Sequence, residues 1–219
     1  MIHVPSPIRP EPPRFEEECR QEGRGWLDQW RAKQVTLPDR PKDFWSPFRP
    51  DLRRGFGLRC GYYAMYVHDG QVDHSTSWKT RKENGTPELV YEWDNFRFVD
   101  GALNSRKKTL DDQVLDPFEV QSGWFEVELP TLFLRVVAVP PARQSAARLT
   151  LEKLELDQGS RALELRWEWY EAHRRGMPLP LLHEKAPLVA QAVERWIGEG
   201  RGALPTIPRP VPDPYDRLV

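Results

Sequence analysis

The sequence predicts an α+β fold, and three observations carry that prediction. The segment WFEVEL (124–129) alternates apolar and polar residues as a half-buried strand does, and LFLRVVAVP (132–140) reads as a second, more deeply buried strand. The stretch 58–74 reads as a β-hairpin. Apolar residues recur at helical spacing near both ends of the chain.

In chain order, residues 13–34 are expected to be helical, with Phe15, Cys19, Trp26, Leu27 and Trp30 on one face, although Gly23 and Gly25 weaken the middle. A Pro-rich link follows through Pro38, Pro41, Pro47 and Pro50, and Pro50 can open a short helix, PDLRRGFG. The hairpin is built from LRCGYYAMYV (58–67), a turn at His68-Asp69-Gly70 and a return strand Gln71-Val72-Asp73-His74. Residues 75–86 are polar and loop-like. Thr86-Pro87-Glu88 suits a helix start, with Leu89, Val90, Tyr91 and Trp93 packing inward. A short apolar run, Phe96 to Val99, precedes a short helix at 101–108, GALNSRKK. Beyond the two strands, residues 142–156, 159–175 and 184–198 read as helices, the second stopped by Gly176. The organisation expected is a Pro-rich tail and helix (1–44), a ββα core (45–120), strands with a helical extension (121–204) and a Pro-rich tail (205–219).

Composition narrows the function classes. The 219 residues suffice for a substantial core. Lys plus Arg is 32 against 33 Asp plus Glu, so any nucleic-acid-binding face must be local. No apolar run approaches a membrane span, and MIHVPSPIRPEPP has no apolar core of a signal peptide, so no membrane partner is expected and the cytoplasm is the expected compartment. Cys19 and Cys60 are too few for a disulfide framework or a four-cysteine zinc site. Five Pro fall in the first 13 residues and five in the last 15, which makes both ends extended tails or docking segments. Most of the nine Trp are expected in the core.

The chemistry-bearing segment is 58–108. Asp73-His74 closes a predicted strand, Asn95 follows 21 residues after His74, and Asn104 follows nine residues after Asn95 on a predicted helix. A carboxylate and an amide oxygen are hard ligands suited to Mg²⁺, and an adjacent His is a natural base near neutral pH. Neighbouring strand residues point to opposite faces, so the chain must twist or leave the strand for Asp73 and His74 to serve one site.

With CGYYAMYVHDGQVDH, YEWDNFRF and GALNSRK in place, the chain resembles the HNH endonuclease family, the ββα-metal nucleases, and especially the bacterial HNH proteins of retron-type and related phage-defence systems. The resemblance covers roughly residues 45–120 and implies a hairpin and helix gripping one Mg²⁺ or Mn²⁺ ion. By it, Asp73 and Asn104 are the metal ligands, His74 is the general base, and Asn95 braces the loop that bears the histidine. Many relatives also bind a structural zinc through paired cysteines. Here Cys60-Gly61-Tyr62-Tyr63 offers one cysteine, so no structural zinc is expected, and Tyr62, Tyr63 and Tyr66 are expected to fill that space. The segment after His74, Ser-Thr-Ser-Trp, lacks the proline often seen there in the family.

The implied activity is hydrolysis of a DNA phosphodiester by a phage-defence effector or toxin, with RNA as a further substrate class compatible with the motif. Candidate phosphate contacts are Lys79, Arg97, Arg106 and Lys107 flanking the motif, extended by Arg53, Arg54 and Arg59. The competing expectation is a non-catalytic HNH-like subunit or adaptor that docks a protein partner.

Overall fold

The computed structural model describes residue 1 and residues 11–211, so most of the Pro-rich N-terminal tail and the last eight residues lie outside the described residues. The chain is α+β. A π-helical segment, Glu16–Gln21, runs directly into α1 (Glu22–Ala32). Then come α2 (Arg49–Gly55), β1 (Gln71–His74), α3 (Trp78–Glu83), β2 (Phe96–Val99) and α4 (Gly101–Lys107). They are followed by β3 (Phe125–Glu128), β4 (Phe133–Val136), α5 (Pro141–Lys153), α6 (Ser160–Arg174), α7 (Leu179–Lys185) and α8 (Pro187–Gly198).

Each of the two sheets has two antiparallel strands: β1 with β2, and β3 with β4. The second sheet agrees with the alternation at 124–129 and 132–140, with register Phe125↔Val136 to Glu128↔Phe133. The first corrects the expected hairpin. Residues 58–67 form no strand; they make turns joined by one isolated bridge, Arg59↔Tyr66. The partner of β1 is β2, across an intervening connection, with Gln71↔Val99, Val72↔Phe98, Asp73↔Arg97 and His74↔Phe96 in register. The apolar residues of 58–67 are buried from both sides, with Cys60, Tyr62, Tyr63, Ala64 and Met65 all 3% exposed or less, so burial mimicked a strand signal. Gly70 marks the entry to β1. A Cβ there would stand 2.5 Å from Cζ of Phe98 and 2.8 Å from the Val99 carbonyl, so the approach to β2 requires glycine.

Three further expectations change. The polar stretch 75–86 contains α3, whose Ser77 cap accepts a hydrogen bond from the Thr80 N–H. Thr86-Pro87 starts only a 3₁₀ turn, Pro87–Tyr91, and the Thr86 side chain does not cap it. The helix expected at 184–198 is two helices broken at Ala186, ahead of Pro187. The described start of the C-terminal tail lies on α6: Tyr170 Oη donates to the Pro205 carbonyl at 2.7 Å and Trp167 Nε1 to that of Ile207 at 2.8 Å. Among the described residues no helix is long and apolar enough to cross a membrane.

β1, β2 and α4 form a ββα unit. Asp100 ends β2 and caps α4, its Oδ1 accepting from the Ala102 N–H at 3.0 Å. Both α2 and α4 pack against β1, which places the end of β1 beside the last turn of α4.

Candidate active site

The buried residue of β1 is a charged one. Asp73 is 3% exposed, and its Oδ1 is paired with the ammonium of Lys107 at 3.1 Å. Its other oxygen, Oδ2, is buried with no partner. Desolvation pushes the Asp73 carboxyl up to about 6, against the opposing pull of Lys107. His74 packs edge-on to the rings of Trp45 (4.6 Å) and Phe96 (5.2 Å), and its Nε2 is buried without a hydrogen bond. Desolvation, then the charge of Lys107, drives the imidazole down to about 3, so His74 is neutral at physiological pH.

Asp73, His74 and Asn104 line one cavity of about 500 Å³, with Trp45, Trp78 and Gln71 also on its wall. The three side chains expected to converge therefore do share a cavity, although Asp73 and His74 are strand neighbours. They occupy the last two positions of β1, where the chain leaves the sheet. Asn104 stands on the middle turn of α4 and donates through Nδ2 to Oε1 of Gln71 at 2.9 Å, which ties the helix to the first residue of β1.

Asn95 lies on the 3₁₀ turn before β2 and is 4% exposed. Its Oδ1 accepts from the Thr76 N–H at 2.8 Å, its Nδ2 donates to the Thr76 carbonyl at 3.1 Å, and its own carbonyl accepts from the Ser75 N–H at 2.7 Å. It braces the residues just after the histidine, one or two positions beyond it. Lys107 holds the same stretch from α4, donating to the His74 carbonyl at 2.7 Å and that of Ser75 at 3.4 Å. The Ser77 N–H is taken by Oδ1 of Asp111 at 2.9 Å. The backbone after His74 is thus pinned by three separate elements, as a preorganised site requires.

The expected phosphate contacts fare unevenly. Lys107 is 1% exposed and Arg97 4%, so both are corrected from surface cations to buried braces. Arg97 donates through Nε to Asp116 Oδ1 at 2.7 Å and lies 3.6 Å over the Phe118 ring, and Asp116 in turn accepts from Ser75 Oγ at 3.0 Å. Arg106 is paired with Glu155, Arg54 with Asp51, Arg53 donates to Tyr66 Oη at 3.2 Å, and Arg59 donates to the Glu184 carbonyl at 2.9 Å. None of these six lines the cavity. Lys79 is exposed on α3, 3.9 Å from Glu83, and also lies off the cavity wall.

Sequence reasoning missed Lys107 as the partner of Asp73, Trp45 as the ring against His74, and Arg49 and Lys108 on the cavity wall. A signal for the first was present: a buried Asp on a strand calls for a cation, and the adjoining helix ends on three basic residues in a row, Arg106 and Lys107 in its last turn and Lys108 just after it.

Among the described residues no group of three or more His, Cys, Asp or Glu side chains is arranged to hold a metal. The donor set suits a hard ion that keeps most of its water: one unpartnered carboxylate oxygen on Asp73 and the amide oxygen of Asn104. Cys60 is buried, and its Sγ accepts from the N–H groups of Tyr63 and Asp100 at 3.5 and 3.3 Å. Tyr62 and Tyr63 are buried beside it in the sequence, and Tyr66 lies against Trp169. Comparison with protein-family models, with curated proteins and with solved structures finds no match to this chain.

Proposed function

We propose that the protein is a metal-dependent nuclease of the HNH type, hydrolysing DNA phosphodiester bonds at the end of β1. The observation that carries this reading is a pair of buried, unpartnered polar atoms, Asp73 Oδ2 and His74 Nε2, on adjacent residues that line one cavity with Asn104 inside a ββα unit. Buried polar atoms are nearly always hydrogen-bonded, so two adjacent exceptions call for a functional account.

Asp73 Oδ2 and the amide oxygen of Asn104 would hold Mg²⁺ or Mn²⁺, which supplies Lewis-acid stabilisation of the charge developing on the phosphate. His74 would accept the proton of the attacking water: burial keeps the imidazole neutral and so able to take it, while the same burial weakens it as a base. Asn95 and Lys107 fix the backbone from His74 to Thr76 and so aim the imidazole; neither needs to touch substrate. A role in phage defence or as a toxin rests on the family resemblance alone.

A plasmid-cutting assay with Mg²⁺, Mn²⁺ or chelator tests the reading. Cutting that needs metal and disappears in His74→Ala supports it; equal cutting by His74→Ala in a preparation free of contaminating nuclease overturns it. One observation favours the adaptor reading instead: the Lys107 ammonium already occupies Asp73 Oδ1. A folded parent protein that neither cuts nor binds Mn²⁺ would support that alternative.

A further inference from the structure

We propose that Arg49 and Lys108 form a phosphate clamp at the cavity, seating the backbone of a polynucleotide at phosphates that flank the one cleaved. This rests on the nuclease reading for the identity of the cleaved bond, and on separate residues for the clamp. Arg49 and Lys108 are the two cations on the cavity wall that holds Asp73, His74 and Asn104. They reach it from different elements: Arg49 opens α2, and Lys108 immediately follows α4.

Both are available. Lys108 is exposed and makes no ion pair among the described residues. The Arg49 side chain is 48% exposed; it rests 3.3 Å from Asp69, whose side chain is 78% exposed, and donates to the Gly70 carbonyl at 3.4 Å. An ion pair that open to water is weak, and a phosphate can displace the aspartate. The contrast with the remaining cations is direct: Arg54, Arg97, Arg106 and Lys107 are tied to carboxylates away from the wall or beneath it. The wall also carries two acids. Asp73 is paired with Lys107, whereas Asp43 accepts from the N–H groups of Trp45 and Ser46 and from the Ser46 hydroxyl and has no cation partner among the described residues, so the two cations act against one uncompensated carboxylate. A small phosphodiester would fill the catalytic end alone, whereas two cations on one wall suit a chain with a phosphate to spare on each side. The shared chemistry is a phosphodiester backbone, of DNA or RNA.

The test is equilibrium binding in EDTA, where nothing is cut, to a fluorescent 20-base-pair DNA duplex, a 20-nucleotide DNA strand and the RNA strand of the same sequence, followed by anisotropy from low to high KCl. Arg49→Ala and Lys108→Ala should each lower the slope of log affinity against log salt by about 1, and the double variant by about 2, on whichever backbone binds. Arg54→Ala, on the same helix as Arg49 but off the wall, should leave the slope unchanged. Unchanged slopes for the folded double variant, an equal drop for Arg54→Ala, or no binding by the parent at low salt each overturn the clamp. The two readings separate cleanly. Metal-dependent plasmid cutting with unaltered slopes removes the clamp and keeps the nuclease, while lowered slopes without any cutting keep the clamp and remove the nuclease.

Discussion

The ammonium of Lys107 stands 3.1 Å from Oδ1 of Asp73, with side-chain exposures of 1% and 4%, so the carboxylate at the heart of the site is half of a buried ion pair. Removing one partner of such a pair strands the other charge. Lys107→Met should therefore cost about 3–5 kcal/mol of stability. Asp73→Asn with Lys107→Met removes both charges and should recover part of that loss. Recovery stays incomplete because Lys107 also holds the carbonyls of His74 and Ser75. Urea unfolding midpoints of the parent, both single variants and the double variant at pH 7 in EDTA measure the coupling. A Lys107→Met midpoint equal to the parent's would refute the pairing.

Asn95 does not line the cavity of Asp73 and His74, and both halves of its amide are spent on Thr76. Asn95→Ala leaves the Thr76 N–H and carbonyl without their partners and should destabilise the protein by about 1–3 kcal/mol. Under the nuclease mechanism proposed above, the same variant should lose kcat on a DNA substrate while KM changes little, since in that mechanism the residue aims the base and does not bind the strand. A rise in KM at constant kcat would instead place Asn95 on substrate.

The order of the ββα unit was legible because its chemistry is local: a polar strand end at Asp73-His74, an Asp100 cap, and a short helix through Asn104. Its pairing was not. The apolar run 58–67 carries the strongest strand signal near the site, but periodicity cannot distinguish a strand from irregular chain buried on every side, and β1 pairs instead with β2 across a long connection. The expectation that Asp73, His74 and Asn104 serve one site drew on the family resemblance, and the three line one cavity, whereas the burial of Arg97 and Lys107 could not be anticipated. A basic residue beside a motif reads as a phosphate contact unless the carboxylate it will meet is known, and Asp116 lies 19 residues from Arg97 and Asp73 34 from Lys107.

Both cysteines are buried thiols. Burial pushes Cys60 up to about 11 and Cys19 up to about 12, from an ordinary value near 9. The raised values mean that the folded state favours the protonated thiols. This contribution is fully present below pH 9 and is lost as pH climbs through 11 to 12, because the unfolded chain ionises first. At pH 8 a thiol reagent such as DTNB should label neither cysteine of the folded protein and both in guanidinium. Rapid labelling of either in native buffer would contradict its burial.

Two glycines in one helix should respond in opposite directions to the same substitution. Gly23 and Gly25 both weaken α1 by propensity, and replacing either with Ala gains up to about 1 kcal/mol on that ground alone. At Gly25 nothing lies within 4 Å of the new methyl, so Gly25→Ala should stabilise by close to that amount. At Gly23 the methyl would fall inside the contact distance of the Tyr91 ring, which is itself fully buried and donates through its hydroxyl to the Lys42 carbonyl at 3.1 Å. The ring cannot withdraw without giving up that bond and its packing against Phe44 and Trp45. Overpacking of this kind costs about 1–3 kcal/mol, which outweighs the propensity gain, so Gly23→Ala should lower the thermal midpoint while Gly25→Ala raises it. Equal shifts of the same sign would show that α1 does not rest on Tyr91, and would detach the N-terminal helix from the 3₁₀ turn that leads into Asn95 and β2.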